Sequence, residues 1–144
     1  MTSDGLVVVS LPAGQVADLA GNLNAASTST DNQVTYDTTL PTVTINQAST
    51  QSDPATSEPV VFTVVYSEPV TGFDAADVVL SGTATGTMTI TVIVIDAQTY
   101  RVEITGITTP GTVIAKVKAT SAFDAASNWA NGSTSTDNSV TYSP

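Results

Sequence analysis

The chain has 144 residues, 41% of them hydrophobic and only 11% charged, a balance that supports a packed core and argues against disorder. Thirteen acids against three bases give a formal charge of −10, which repels a phosphate backbone and excludes nucleic-acid binding. With no His and no Cys, imidazole- and thiolate-based catalysis, disulfides and thiolate metal sites are excluded, and cations are the natural small partners.

The length accommodates one ordinary domain plus a fragment. No segment approaches the roughly 20 apolar residues of a membrane span. Nothing after Met1 resembles a signal peptide, so an exported protein would carry its signal outside this chain.

Taken along the chain, runs rich in Val, Ile, Thr, Tyr and Phe predict strands, and Gly, Pro, Asp and Ser separate them. The first two are 5–11 (GLVVVSL) and 33–37, joined by a long loop. Then come 42–47, 59–66, 77–81, 87–95, 99–105, 112–119 and 139–142. Alternation is clear in two of them. Val113, Ala115, Val117 and Ala119 share one face against Ile114, Lys116 and Lys118, while Tyr100, Val102 and Ile104 oppose Arg101 and Glu103. The run Val92-Ile93-Val94-Ile95 breaks the pattern, as expected of a strand covered on both faces or of a sticky outer patch. Helical periodicity is nowhere sustained. Short strands at this spacing predict an all-β fold, an immunoglobulin-like antiparallel β-sandwich of about seven strands, preceded by a two-stranded stub.

The stub explains itself by repetition. The phrase STSTDNQVTY (27–36) returns as STSTDNSVTY (133–142), and residues 5–37 align with 111–143 without a gap at an offset of 106 (111 − 5). Gly5 falls on Gly111, Val7 on Val113, Asp18 on Asp124 and Asn22 on Asn128. An ungapped match of this length indicates duplication. Residues 1–37 then read as the second half of a preceding repeat and 38–144 as one complete unit. Alone, such a pair of strands cannot close a core.

Three motifs, SEPVTGFDAAD (67–77), the loops DLAGN (18–22) and DAASN (124–128), and the connector VTYDTTLPTVT (34–44), resemble the tandem bacterial Ig-like domains of long secreted and cell-surface proteins, including large adhesins. The resemblance covers nearly the whole chain. It implies a β-sandwich strung in a rod at a cell surface, extracellular and without catalytic activity. Ser127 stands where the first loop has Gly21, which predicts a distorted turn there.

The carboxylates carry the remaining chemistry. In a seven-stranded sandwich the loops 67–76, 96–98 and 120–138 are expected at the end where the first strand enters, gathering Glu68, Asp74, Asp96, Asp124 and Asp137, and the connector delivers Asp37 to the same end. Clustered carboxylates raise one another's pKa or recruit a cation, and Ca²⁺ suits an all-oxygen site. The candidate metal ligands are Asp37 and Asp124, then Asp137, Asp74 and Glu68, with no EF-hand spacing among them. Against this, Asp and Asn in loops commonly form turns through their own side chains.

Other features read more plainly. Trp129 replaces Leu23 and is expected to pack under its loop in preference to stacking on a sugar. The threonines of 83–91 are ordinary strand formers. Lys116 and Lys118 lie on the wet face, which speaks against an isopeptide bond. The expected function is therefore a non-catalytic structural module, a spacer or adhesin stalk stiffened at its junction by Ca²⁺, with neighbouring repeats or other copies as partners. A self-assembling fibre subunit whose N-terminal strands augment a neighbour's sheet and a glycan- or ligand-binding module are the alternatives.

Overall fold

Strands form where apolar residues alternate, and the computed structural model of residues 1–144 arranges them in two units, Met1–Thr39 and Leu40–Pro144. In the first, β1 (Gly5–Val8) pairs antiparallel with β2 (Gln33–Tyr36), placing Gly5 opposite Tyr36 and Val7 opposite Val34. Past Val8 the pairing becomes irregular: the Val9 N–H still donates to the Asn32 carbonyl, while the Leu11 N–H donates to the Ser27 hydroxyl and its carbonyl accepts from the Ser27 N–H.

The second unit contains β3 (Val43–Gln47), β4 (Val60–Tyr66), β5 (Val78–Gly82), β6 (Gly86–Val94), β7 (Thr99–Ile107), β8 (Gly111–Val117) and β9 (Ser139–Tyr142). They form a four-stranded sheet in the order β3-β4-β7-β6 and a three-stranded sheet in the order β5-β8-β9, every named pair antiparallel. This is the strand arrangement of a constant-type immunoglobulin sandwich. The only helix is a single 3₁₀ turn, Ala75–Asp77, capped by Asp74.

Between the sheets the alternating residues meet. Val43, Ile45, Val60, Phe62, Val64, Val102 and Ile104 face Val78, Val113, Ala115, Val117 and Val140, all of them buried. The second face of β8 carries Lys116, which is exposed. The run at 92–95 ends as an outer patch: β6 is an edge strand, with Val94 66% and Ile95 59% exposed.

Gly111 is a position where only glycine fits. A Cβ there would lie 2.5 Å from the Ala84 nitrogen, and the backbone holds φ at +154°.

The chain enters the unit at one end and leaves at the other. Val43 sits opposite Tyr66, the Asn131 N–H donates to the Pro41 carbonyl, and the Ser67 N–H donates to the Thr42 carbonyl, which places 67–76 and 120–131 at the end where β3 begins. From there residues 134–137 run alongside β3: Thr134 N–H donates to the Val43 carbonyl, Ile45 N–H to the Ser135 hydroxyl and Gln47 N–H to the Asp137 carbonyl. Tyr142 ends the walk beside Ala55 and Gly111, at the far end.

Candidate cation site and the loops that shape it

The end of the sandwich where β3 begins is held by aromatic rings. Tyr66, Phe73 and Tyr100 pack edge to face, with centroids 5.0 to 6.0 Å apart. The Tyr66 hydroxyl bonds the Ser121 hydroxyl at 2.8 Å, and the Tyr100 hydroxyl donates to the Val70 carbonyl at 3.3 Å. Burial pushes the Tyr66 phenol up to about 12, so it stays protonated and keeps this bond. Loop 67–76 is thereby tied to β7, and loop 120–131 to β4.

On this frame the DAASN loop closes around one carboxylate. Asp124 is 4% exposed. Its Oδ1 accepts from the Ala126 N–H at 2.8 Å and the Asn128 N–H at 2.9 Å, and its Oδ2 accepts from the Asn128 side-chain amide at 2.9 Å. Burial pushes the Asp124 carboxyl up, but the bonds from Asn128, Ala126 and Ser127 outweigh it and hold the group below the usual carboxylate range. The DLAGN loop of the first unit makes the same pattern: Asp18 Oδ1 accepts from the Ala20 and Asn22 N–H groups and Oδ2 from the Asn22 amide, each at 2.9 Å. The expected distortion at Ser127 does not occur. Ser127 adopts φ +70° where Gly21 has +84°, and Thr120 adopts +59° where Gly14 has +77°, so the turn is kept at the cost of left-handed backbone strain at two L-residues.

A carboxylate oxygen of Glu68 lies within 4.8 Å of one from Asp124, a separation from which two carboxylates can chelate a cation. The fit is constrained, since Asp124 already accepts three hydrogen bonds and retains about one of roughly four lone-pair positions. It could therefore act as a one-oxygen ligand. Between the two loops lies a depression of about 310 Å³ with Asp124 as its one carboxylate and Val70, Pro69 and Phe123 among its walls.

The remaining candidates lie elsewhere or are engaged. Asp74 caps the 3₁₀ turn, accepting from the Ala76 N–H at 2.7 Å while its own N–H donates to Asp77. Asp96 folds its tight turn, accepting from the Gln98 and Thr99 N–H groups at 2.8 Å, and these bonds lower its pKa. Asp137 sits beside Gln47 and Asn46, at the other end of β3 from Val43, because 134–137 is an extended segment and not part of the loop. Asp37 belongs to the first unit, where its carboxylate accepts from the Thr39 N–H at 3.0 Å.

Trp129 packs against Phe123, ring centroids 5.1 Å apart and planes tilted by 60°, yet remains 50% exposed. The bridge Phe123–Trp129 has its equivalent in Ala17–Leu23 of the first unit. Sequence reasoning missed Ser121 and Tyr66; a small hydroxyl next to apolar Ala122, facing a strand-end tyrosine, was the available signal.

Sandwich topology and a carboxylate-closed loop define an immunoglobulin-type domain. The model of the bacterial Ig-like domain family matches residues 37–143, and the chain belongs to that family. No curated protein and no solved structure matches it. No helix is long and apolar enough to cross a membrane.

Proposed function

We propose that the chain is a spacer module of a repetitive bacterial surface protein, a segment of a rod or adhesin stalk. The observation that carries this reading is the path of the chain through the Leu40–Pro144 unit, entering beside Tyr66 and leaving beside Ala55 at the opposite end. Units joined this way string head to tail. The connector Asp37-Thr38-Thr39-Leu40-Pro41 is short, and the fully buried Pro41 has a fixed φ and restrains its predecessor, which favours a rod over flexible beads. Such a protein acts outside the cell.

Junction stiffening by Ca²⁺ is the finer part of the proposal. Glu68 and Asp124 supply two carboxylates. Melting after chelation and again in millimolar CaCl₂ tests it: a rise in Tm that Glu68→Gln abolishes is expected, and an unmoved Tm removes calcium from the picture.

Exposed apolar residues on the first unit and the uncharged β6 edge favour a second reading, self-assembly by strand addition. Sedimentation separates the two. A spacer is monomeric with or without residues 1–37, whereas an assembler polymerises only with them.

A further inference from the structure

We propose that residues 5–37 are a preshaped half-sandwich whose exposed face binds one kind of partner, a polypeptide of the type represented by residues 38–110, the first half of the same repeat. The proposal goes beyond the spacer reading and is independent of it.

Its basis is a position-by-position comparison within the molecule. At the offset of 106, β1 and β2 pair in the register of β8 and β9: Gly5–Tyr36 matches Gly111–Tyr142, and Val7–Val34 matches Val113–Val140. Bonds internal to the half are reproduced. Leu11 N–H donates to Ser27 Oγ as Val117 N–H does to Ser133 Oγ, and Asn32 Nδ2 donates to the Val9 carbonyl as Asn138 Nδ2 does to that of Ala115. The half thus has its final shape without a partner.

Positions that face the first half differ. Val140, Val117 and Ala122 are buried at 0%, 3% and 0% exposure, whereas their equivalents Val34, Leu11 and Val16 are exposed at 67%, 45% and 57%. β8 has β5 along its other edge, an edge that on β1 has no strand. Ser135 is half-buried and accepts from Ile45, a first-half residue, whereas its equivalent Ser29 is exposed.

Gly5 supplies an independent sign. At Gly111 a Cβ would collide with Thr83 and Ala84 of the first half, while at Gly5 it would meet nothing within 4 Å. Nothing in its own unit calls for glycine there; a docked Thr83–Ala84 turn would.

The comparison also selects the occupant. Two copies that exchanged second halves would still leave one uncovered face per chain, so a second copy gains nothing by it. A surplus first half covers the face.

The test fuses a second copy of residues 38–110 ahead of residues 5–144, so that Gly5 follows Pro110 as Gly111 does. Hydrogen exchange is read by mass spectrometry on peptides from 5–37, whose sequence differs from 111–143, and protection of 111–117 verifies that the original unit is folded. Exchange in 5–11 and 33–36 at least about 100-fold slower than in the 144-residue chain is expected, since fraying strands become part of a cooperative core. Exchange within about threefold of that chain overturns the proposal. In the fused protein Val34→Asp should restore fast exchange in 5–37 and leave 111–117 protected; protection that survives this change also overturns it.

Discussion

Asn128 reaches Asp124 twice, through its backbone amide to Oδ1 and through its side-chain amide to Oδ2, each at 2.9 Å, and so closes a five-residue loop on one carboxylate. All of these bonds are stronger to the ionised form, and they hold the folded-state pKa below the ordinary value of 3.8. The unfolded chain therefore binds more protons through this window. Stability from Asp124 is complete above the unfolded pKa near 4 and is lost as pH falls through the lower folded value. Acidification also relieves the −10 self-repulsion, an effect of opposite sign, so the loop contribution must be isolated by comparison. Urea unfolding at pH 6 and pH 3 should show a larger loss for the native chain than for Asp124→Asn. Equal losses would mean that the carboxylate does not carry the loop.

Thr120 and Ser127 sit in left-handed backbone where the first unit has Gly14 and Gly21. For an L-residue that conformation costs about 1–2 kcal/mol, against the 0.5–1 kcal/mol that glycine loses through its freer unfolded chain. Thr120→Gly and Ser127→Gly should each stabilise the Leu40–Pro144 unit by about 0.5–1 kcal/mol, with the β-branched Thr120 giving the larger gain. A calorimetric Tm that falls on either change would show that side-chain contacts outweigh the backbone strain.

Strand positions were legible because two-residue alternation and Gly or Pro breaks mark them locally, and the sandwich class follows from their spacing. The 106-residue offset equally exposed the half-repeat as a sequence. What stayed hidden was how loops are spent. STSTD carries no apolar alternation, yet Ser135 and the main chain of 134–137 pair with β3 through a hydroxyl and backbone bonds, which takes Asp137 to the far end of the strand. Asp74 and Asp96 have the composition of ligands, but each is engaged by the amides of its own turn, a choice set by backbone dihedrals that residue types alone do not declare. The pairing of Glu68 with Asp124 was readable from topology, since their loops share an end.

Val34 and Val140 are the same residue at equivalent places, with opposite surroundings: 67% and 0% exposed. Removing two methyl groups from a filled core costs about 2 kcal/mol once the residual cavity is included, while the same change at an exposed site costs less than about 0.5 kcal/mol. Val140→Ala should lower the urea midpoint of the Leu40–Pro144 unit accordingly, and Val34→Ala should leave it unchanged. A comparable loss from Val34→Ala would contradict the exposed face from which the half-sandwich is inferred.

Tyr66 and Ser121 bury a hydroxyl pair between β4 and the loop that leads to Asp124, and Ser121 is 3% exposed. Tyr66→Phe keeps the ring and its edge contacts with Phe73 and Tyr100 but strands the Ser121 hydroxyl, a penalty of about 1–3 kcal/mol. Ser121→Ala strands the phenol by the same logic, and the high pKa imposed by burial leaves ionisation no means of compensating. The double variant removes both orphaned groups, so its loss should fall well short of the sum of the single losses. Thermal unfolding of the four proteins measures the coupling directly. Additive losses would show that water reaches this end of the sandwich and that the pair does not anchor the loop.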